Sequence, residues 1–314
     1  MSIQDERQAR RRALAALALA ALALTLGAEA AEGTGRSSRT PVAPTCPSLP
    51  AGAENLVEPG AITLVGEVHG TVEAPAFFAS LVCAAVLAAA APGVIVGIEM
   101  PRSDQAAVDA FFAAESIAEA RARLLAADHF TDRWRDGRDS ESMVALLEDL
   151  RRWRASGAAL TVVAFDVTAD EAVGMAAAAR ERAMAERLAI AVERHPGATV
   201  LVYTGNVHSR TVPGVPWDAE LAPMGSLLRA SFQRLRSLDF ASAGGSTWAC
   251  MTSAADEPTC GEHPQAGRDR GAHPFVELWS EPDAVGHDGI YYLGRISASP
   301  PAVADRREGA AADD

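Results

Sequence analysis

The chain has 314 residues and a net charge of −13, which removes the basic footprint of a general nucleic-acid binder. Its hydrophobic fraction of 49% is heavy in alanine, yet Leu, Val, Ile and Phe suffice for the core of one large domain or two small ones. An acidic surface favours solubility and selects no substrate.

The amino terminus reads as a targeting segment. MSIQDERQARRR ends in Arg10, Arg11 and Arg12, and ALAALALAALALTL (13–26) follows without a charge. Ala28-Glu29-Ala30 then supplies the small-x-small pattern before a cleavage point. Residues 1–30 are therefore expected to be a secretory signal peptide. The apolar stretch is shorter than the ~20 residues of a membrane span, although an uncleaved anchor is the other reading of such a run. A periplasmic or secreted protein with no stable membrane span after cleavage is the expectation. N-terminal sequencing of mature protein should then begin at or close to Ala31. A full-length amino terminus in soluble cytoplasm would contradict export.

Residues 31–60, rich in Gly, Ser, Pro and Thr, read as a linker. Four cysteines in an exported chain suggest disulfides. Cys250 and Cys260 flank the polar stretch MTSAADEPT and are the expected pair, leaving Cys46 and Cys83 to each other. Cys83 lies in an apolar helix, where a buried free thiol is the other reading.

Strands and helices then alternate. Ile62 to Val65 is a short strand, and residues 73–91 form a helix stopped by Pro92-Gly93. VIVGIE (94–99) is a continuous apolar run, expected to be buried on both faces. Ser103 is the N-cap of a helix reaching about Ala127. Residues 129–139 read as a loop, in which Trp134 could belong to a lid or to a plain surface. A helix from Glu141 to Ala155 ends at Gly157. LTVVAFD (160–166) is a buried strand, and the capping box from Thr168 to Glu171 opens a long helix ended by Pro196-Gly197. TVLVY (199–203) is the fourth strand. This repeat predicts an α/β fold, a mostly parallel central sheet flanked by helices. A helix at Gly225 to Ala230 is followed by candidate strands at 233–241, 247–251, 275–278 and 290–296. These read as antiparallel C-terminal strands added to the sheet edge of one domain over residues 61–296. The polar tail, 297–314, is expected to be disordered.

In open α/β sheets, ligands bind beyond the carboxyl ends of the strands. The four strands here end in GEVH, GIEMP, AFD and YTGNVHS, which gather Glu67, His69, Glu99, Asp166 and His208. A lone strand-end histidine is usually a core residue. Two histidines with three acids at equivalent places point instead to one shared site. Gly66 and Gly205 precede the histidines, where glycine permits positive φ and close backbone approach. Glu73, four residues after His69, is either a site residue or a favourable acid at a helix start. HExxH, GxSxG, GxGxxG and P-loop patterns are absent. His129, His195, His263, His273 and His287 receive no role.

GEVHGTVEAP resembles the first motif of the ChaN-like, Tiki/TraB and erythromycin-esterase superfamily. There a Gly-Glu-x-His or Gly-x-x-His turn follows strand one, an acid follows strand two, and a second Gly-x-x-His comes late. The matching residues here are Gly66 to His69, Glu99 in GIEMP, and Gly205 to His208. RERAMA (Arg180, Glu181, Met184, Ala185) resembles the family's Arg-acid-x-x-Met-Ala stretch, and residues 133–157 share its look. The resemblance covers about residues 60–212. The macrolide esterases carry one more residue between the Glu and the His, and the β-rich C-terminal part has no counterpart in the resemblance. It implies that Arg180 points to the site, holding an anionic group or orienting an acid; a solvated arginine is the alternative.

Two functions remain open. The first is an exported hydrolase of an ester or amide bond in a small-molecule or peptide substrate. His69, Glu99 and His208 could hold one divalent metal (Zn, Mn, Fe or Co) that activates water. Without metal, His69 could be the general base, oriented by Glu67 or Glu99. Glu73, Asp166 and Arg180 are the candidate substrate contacts. The second, implied by the likeness to ChaN, is haem or iron binding without turnover, with the histidines as ligands.

Overall fold

The computed structural model describes residues 45–89, 92–131, 135–251 and 259–303. The expected signal peptide and Trp134 lie outside these. β1 (Ile62–Glu67) leads into α1 (Glu73–Ala88) and returns as β2 (Val94–Pro101). β3 (Leu160–Asp166) and β4 (Thr199–Gly205) complete the four strands read from the sequence. Every residue of β1 and β4 is buried, as continuous apolar runs require when helices cover both faces. Successive side chains point to opposite sides. Thus Leu64 joins Ile95, Phe165 and Leu188 in one core layer, while Val65 joins Phe78, Val96 and Trp153 in the other.

The helices between the strands differ in detail from expectation. The long helix expected from Ser103 is broken into α2 (Gln105–Ala113) and α3 (Ile117–Leu125), followed by the single turn α4 (Asp128–Thr131). Ser116 explains the break, because its hydroxyl accepts the Glu119 N–H at 3.2 Å and starts a new helix. α5 (Glu141–Ala155) matches its expected span. The capping box at Thr168 exists, but it opens only α6 (Ala169–Ala172). Gly174, at φ 71°, separates it from α7 (Ala177–Arg194). Gln105 closes the exposed edge of β3: its side chain donates to the Val162 carbonyl at 3.1 Å and accepts the Ala164 N–H at 2.8 Å. A neighbouring strand would make the same two bonds.

Beyond α8 (Met224–Ser231) lie β5 (Leu235–Ala241), β6 (Gly245–Met251), β7 (Thr259–Gln265), β8 (Phe275–Leu278) and β9 (Gly289–Tyr292). The large sheet has the order β3-β2-β4-β1-β5-β9-β8. β5 pairs parallel with β1 and β9 parallel with β5, so within that sheet only β8 runs antiparallel. This corrects the expectation that all the late strands are antiparallel edge additions. β6 and β7 form a separate antiparallel ribbon, with Cys250 opposite Cys260. β7, TCGEHPQ, lacks apolar alternation and so gave no strand signal. Disulfides join Cys250 to Cys260 and Cys46 to Cys83. No helix among the described residues is long and apolar enough to cross a membrane. Residues flanking the sheet pack onto it: Leu56 and Ser299 are buried, Ala51 bridges to Phe275 and Ser140 to Pro301.

Candidate active site

Parallel register sets the site. Glu67 lies beside Gly205, and Ile98 beside Tyr203, so β1, β4 and β2 end together. Glu99 occupies the centre and is almost fully buried. Its Oε2 accepts the Thr204 hydroxyl and the Gly205 N–H, each at 2.7 Å. Its Oε1 faces Arg138 Nη1 at 3.1 Å and Arg180 Nη2 at 3.3 Å. The same oxygen lies 3.6 Å from His208 Nε2 and 3.9 Å from His69 Nε2. Burial alone would raise this carboxyl. The two imidazoles and the two guanidinium groups outweigh burial and hold it well below the usual range.

Each histidine rests on its own glutamate. His69 Nδ1 pairs with Glu67 Oε1. Burial disfavours the imidazolium, but the charge and hydrogen bond of Glu67, with Glu99 and Asp136 behind, raise the ring's pKa to about 9. His208 Nδ1 lies 2.7 Å from Glu181 Oε1, and the other oxygen of Glu181 accepts the Met224 N–H at 2.7 Å. His208 Nε2 faces both a donor, Arg180 Nη1 at 3.4 Å, and an acceptor, Glu99. It is therefore placed to take or give a proton. Burial and Glu67 push the Tyr203 phenol well up, so it stays protonated.

The arginines are held by further acids. Arg180 clamps Asp166 through Nε at 2.9 Å and Nη2 at 2.7 Å. Arg138 donates to Asp136 from Nη2 at 2.8 Å. Glu67, Glu99, Asp166 and Glu181 are buried, whereas the side chains of His69, Arg138 and Arg180 are 26%, 24% and 29% exposed. The more exposed charged groups of the site are thus these three and Asp136, which is 20% exposed. His69 and Arg138 line a small cleft with Glu67 and Glu99, and Pro75, Met143 and Tyr203 form its apolar wall.

The sequence-derived residues Glu67, His69, Glu99, Asp166, Arg180 and His208 thus come together. Glu73 does not join them; it starts α1 and accepts the Ser297 N–H at 2.9 Å. Arg138, Asp136 and Glu181 were missed as site residues. Two signals could have found them: Glu181 adjoins Arg180 in RERAMA, and Arg138 lies in the 133–157 stretch. Gly66 and Gly205 also differ from expectation, since neither has positive φ. They are needed for closeness instead. A Cβ on Gly66 would lie 2.2 Å from Ser209 Oγ, and one on Gly205 3.3 Å from His69 Nε2. His287 Nε2 sits 3.2 Å from Ser209 Oγ, with Asp283 3.6 Å behind its Nδ1. That order imitates a Ser-His-Asp triad, but the serine and histidine are sealed from solvent. Ser209 Oγ is committed to the Asn206 carbonyl at 3.0 Å, so the cluster supports the His208 turn.

The donors expected to hold a metal do lie close together. However, guanidinium N–H groups already face Glu99 Oε1 and His208 Nε2. A divalent cation there would sit against two fixed positive charges. Among the described residues, no group of three His, Cys, Asp or Glu is arranged to hold a metal. The residues do not fit a metal centre, and haem iron would require the same imidazole nitrogens.

No family model and no curated protein matches this chain. Solved structures do. An erythromycin esterase, EreC, in its open conformation superposes with a TM-score of 0.60 over 80% of this chain and 94% of its own, at 12% identity. A Bacillus cereus protein gives 0.55 over 79% and 92%, at 11% identity. A succinoglycan biosynthesis protein gives 0.53 over 77% and 89%, at 10% identity. Such likeness shows a shared fold, and the fold is the one that the sequence resemblance implied.

Proposed function

We propose that this protein is an exported hydrolase that cleaves an ester or amide bond with two histidine–glutamate pairs and no metal. The observation that carries the reading is the mirrored arrangement of His69–Glu67 and His208–Glu181, with both Nε2 atoms directed at Glu99. General acid–base chemistry needs a proton donor or acceptor within hydrogen-bond reach of the reacting atoms. The shared fold with an erythromycin esterase is consistent with this class of reaction. The two disulfides agree with an oxidising compartment.

The charge around His69 favours a role opposite to the general base read from the sequence. With its pKa raised to about 9, the ring enters at neutral pH as an imidazolium. His208 Nε2 removes a proton from water as the water oxygen attacks the carbonyl carbon. Arg138 and the His69 imidazolium stabilise the oxyanion that forms. His69 then protonates the departing alkoxide or amine, and transfer of the proton on His208 through solvent to His69 restores both rings. Glu99 stays ionised between the rings and balances their charge.

The pH profile tests this division. With His69 as the acid, turnover falls as pH rises through about 9. With His69 as the base, it would rise over the same range. Stability follows the same group. The folded pKa is raised above the ordinary 6.5, so the contribution of His69 is complete below 6.5 and lost as pH climbs to about 9. Denaturant midpoints should decline across that window, and His69→Ala should flatten the decline.

A further inference from the structure

The loops carrying His69 and Arg138 are fastened to each other by the ribbon of β6 and β7. The Trp248 backbone N–H donates to the Gly70 carbonyl at 2.9 Å. Its indole Nε1–H donates to the Arg135 carbonyl at 3.1 Å. The neighbouring Thr247 hydroxyl donates to the His69 carbonyl. Three backbones meet here at the closest possible approach. A Cβ on Gly70 would fall 2.1 Å from the Trp248 carbonyl oxygen, and one on Gly137 2.3 Å from the Gly70 Cα. Both glycines also have positive φ, 74° and 98°, so no other residue fits well at either place.

We infer that Trp248 is a positioning residue of the active site, setting the separation between the His69 turn and the Arg138 loop from a ribbon stapled by Cys250–Cys260. A two-stranded ribbon alone is marginally stable in water. This one is joined to the rest by the Ser246 N–H to the Ile296 carbonyl, at 3.1 Å, and by the bonds of Thr247 and Trp248. The disulfide closes it two residues beyond Trp248. Trp248 makes none of the contacts that define the cleft wall. Its effect on chemistry is therefore on geometry, and a displacement of about 1 Å at reacting groups costs up to ~100-fold in rate.

The activity part of this inference rests on the hydrolase reading, so the test has an arm that does not. Trp248→Phe keeps an aromatic ring and removes only the bond to Arg135. Amide hydrogen exchange in residues 135–140 should accelerate by roughly tenfold or more while the β1 to β4 amides keep their protection. The kcat on an activated ester should fall by about tenfold with KM within about twofold. The Cys250→Ala/Cys260→Ala pair should loosen residues 69–71 as well as 135–140. Unchanged exchange at 135–140 in both variants overturns the inference, whatever happens to turnover. Faster exchange across the whole sheet overturns it too, since Trp248 would then be a global stabiliser. If the parent hydrolyses no ester, the hydrolase reading fails and the exchange arm still decides the role of Trp248.

Discussion

His69→Ala should lower kcat/KM on an activated ester by about 10² to 10⁴, the usual worth of a positioned acid or base. His208→Ala should do the same. The double variant should lose little more than either single one, because groups that act on one transition state are not additive. Both rings lie at strand ends beyond the packed layers, and His69 is about a quarter exposed. Each change leaves a buried glutamate, Glu67 or Glu181, without its imidazole, so destabilisation should exceed the ordinary ~1 kcal/mol of a point substitution. Circular dichroism and melting beside the kinetics separate the two effects. If only one of the two histidines affects turnover in folded protein, the paired-histidine site is wrong.

Glu99→Gln should be the most damaging isosteric change. Glu99 is 4% exposed and faces two arginines and two imidazoles while accepting from Thr204 and Gly205. An amide there removes the central negative charge and turns an N–H₂ toward groups that can only donate or already donate. Leaving buried charges unpaired costs about 3 to 5 kcal/mol, readable from urea unfolding. The pH dependence has a definite sign. The folded pKa of Glu99 is depressed, so its contribution is present above the ordinary 4.5 and lost as pH falls below it. The parent should lose stability on that acid side, and Glu99→Gln should lose less of it. Equal stability of parent and variant at pH 7 would contradict the central role of Glu99.

The framework was legible because buried parallel strands have an uncommon signature. VIVGIE and TVLVY are apolar without alternation, and each stops at a polar group on the same sheet edge. Glu67, His69, Glu99, Asp166 and His208 are therefore legible at one place from strand ends alone, whereas Arg180 is placed there only by the family resemblance. Arg138 and Glu181 were not legible as site residues. A charged residue within RWRDGR or on an alanine-rich helix looks solvated until the fold turns it inward. The β6–β7 ribbon was half hidden because its second strand carries Gly, Pro, Glu and His rather than β-branched residues. Its contact with Gly70 and Arg135 joins positions that sequence spacing cannot relate. Gly66 and Gly205 are strand residues without positive φ that allow close approach, and Gly70 makes the turn.

On this mechanism the two histidine–glutamate pairs hydrolyse the bond without a metal. Release of 4-nitrophenolate from 4-nitrophenyl esters, followed with chelator-stripped protein whose metal content is assayed in the same sample, decides between this and a metal-dependent route. Metal-free protein should keep full turnover, and His69→Ala and His208→Ala should each lower it by about 10² or more. Turnover lost on stripping and restored by a divalent cation, or hydrolysis that survives both substitutions, would contradict this mechanism.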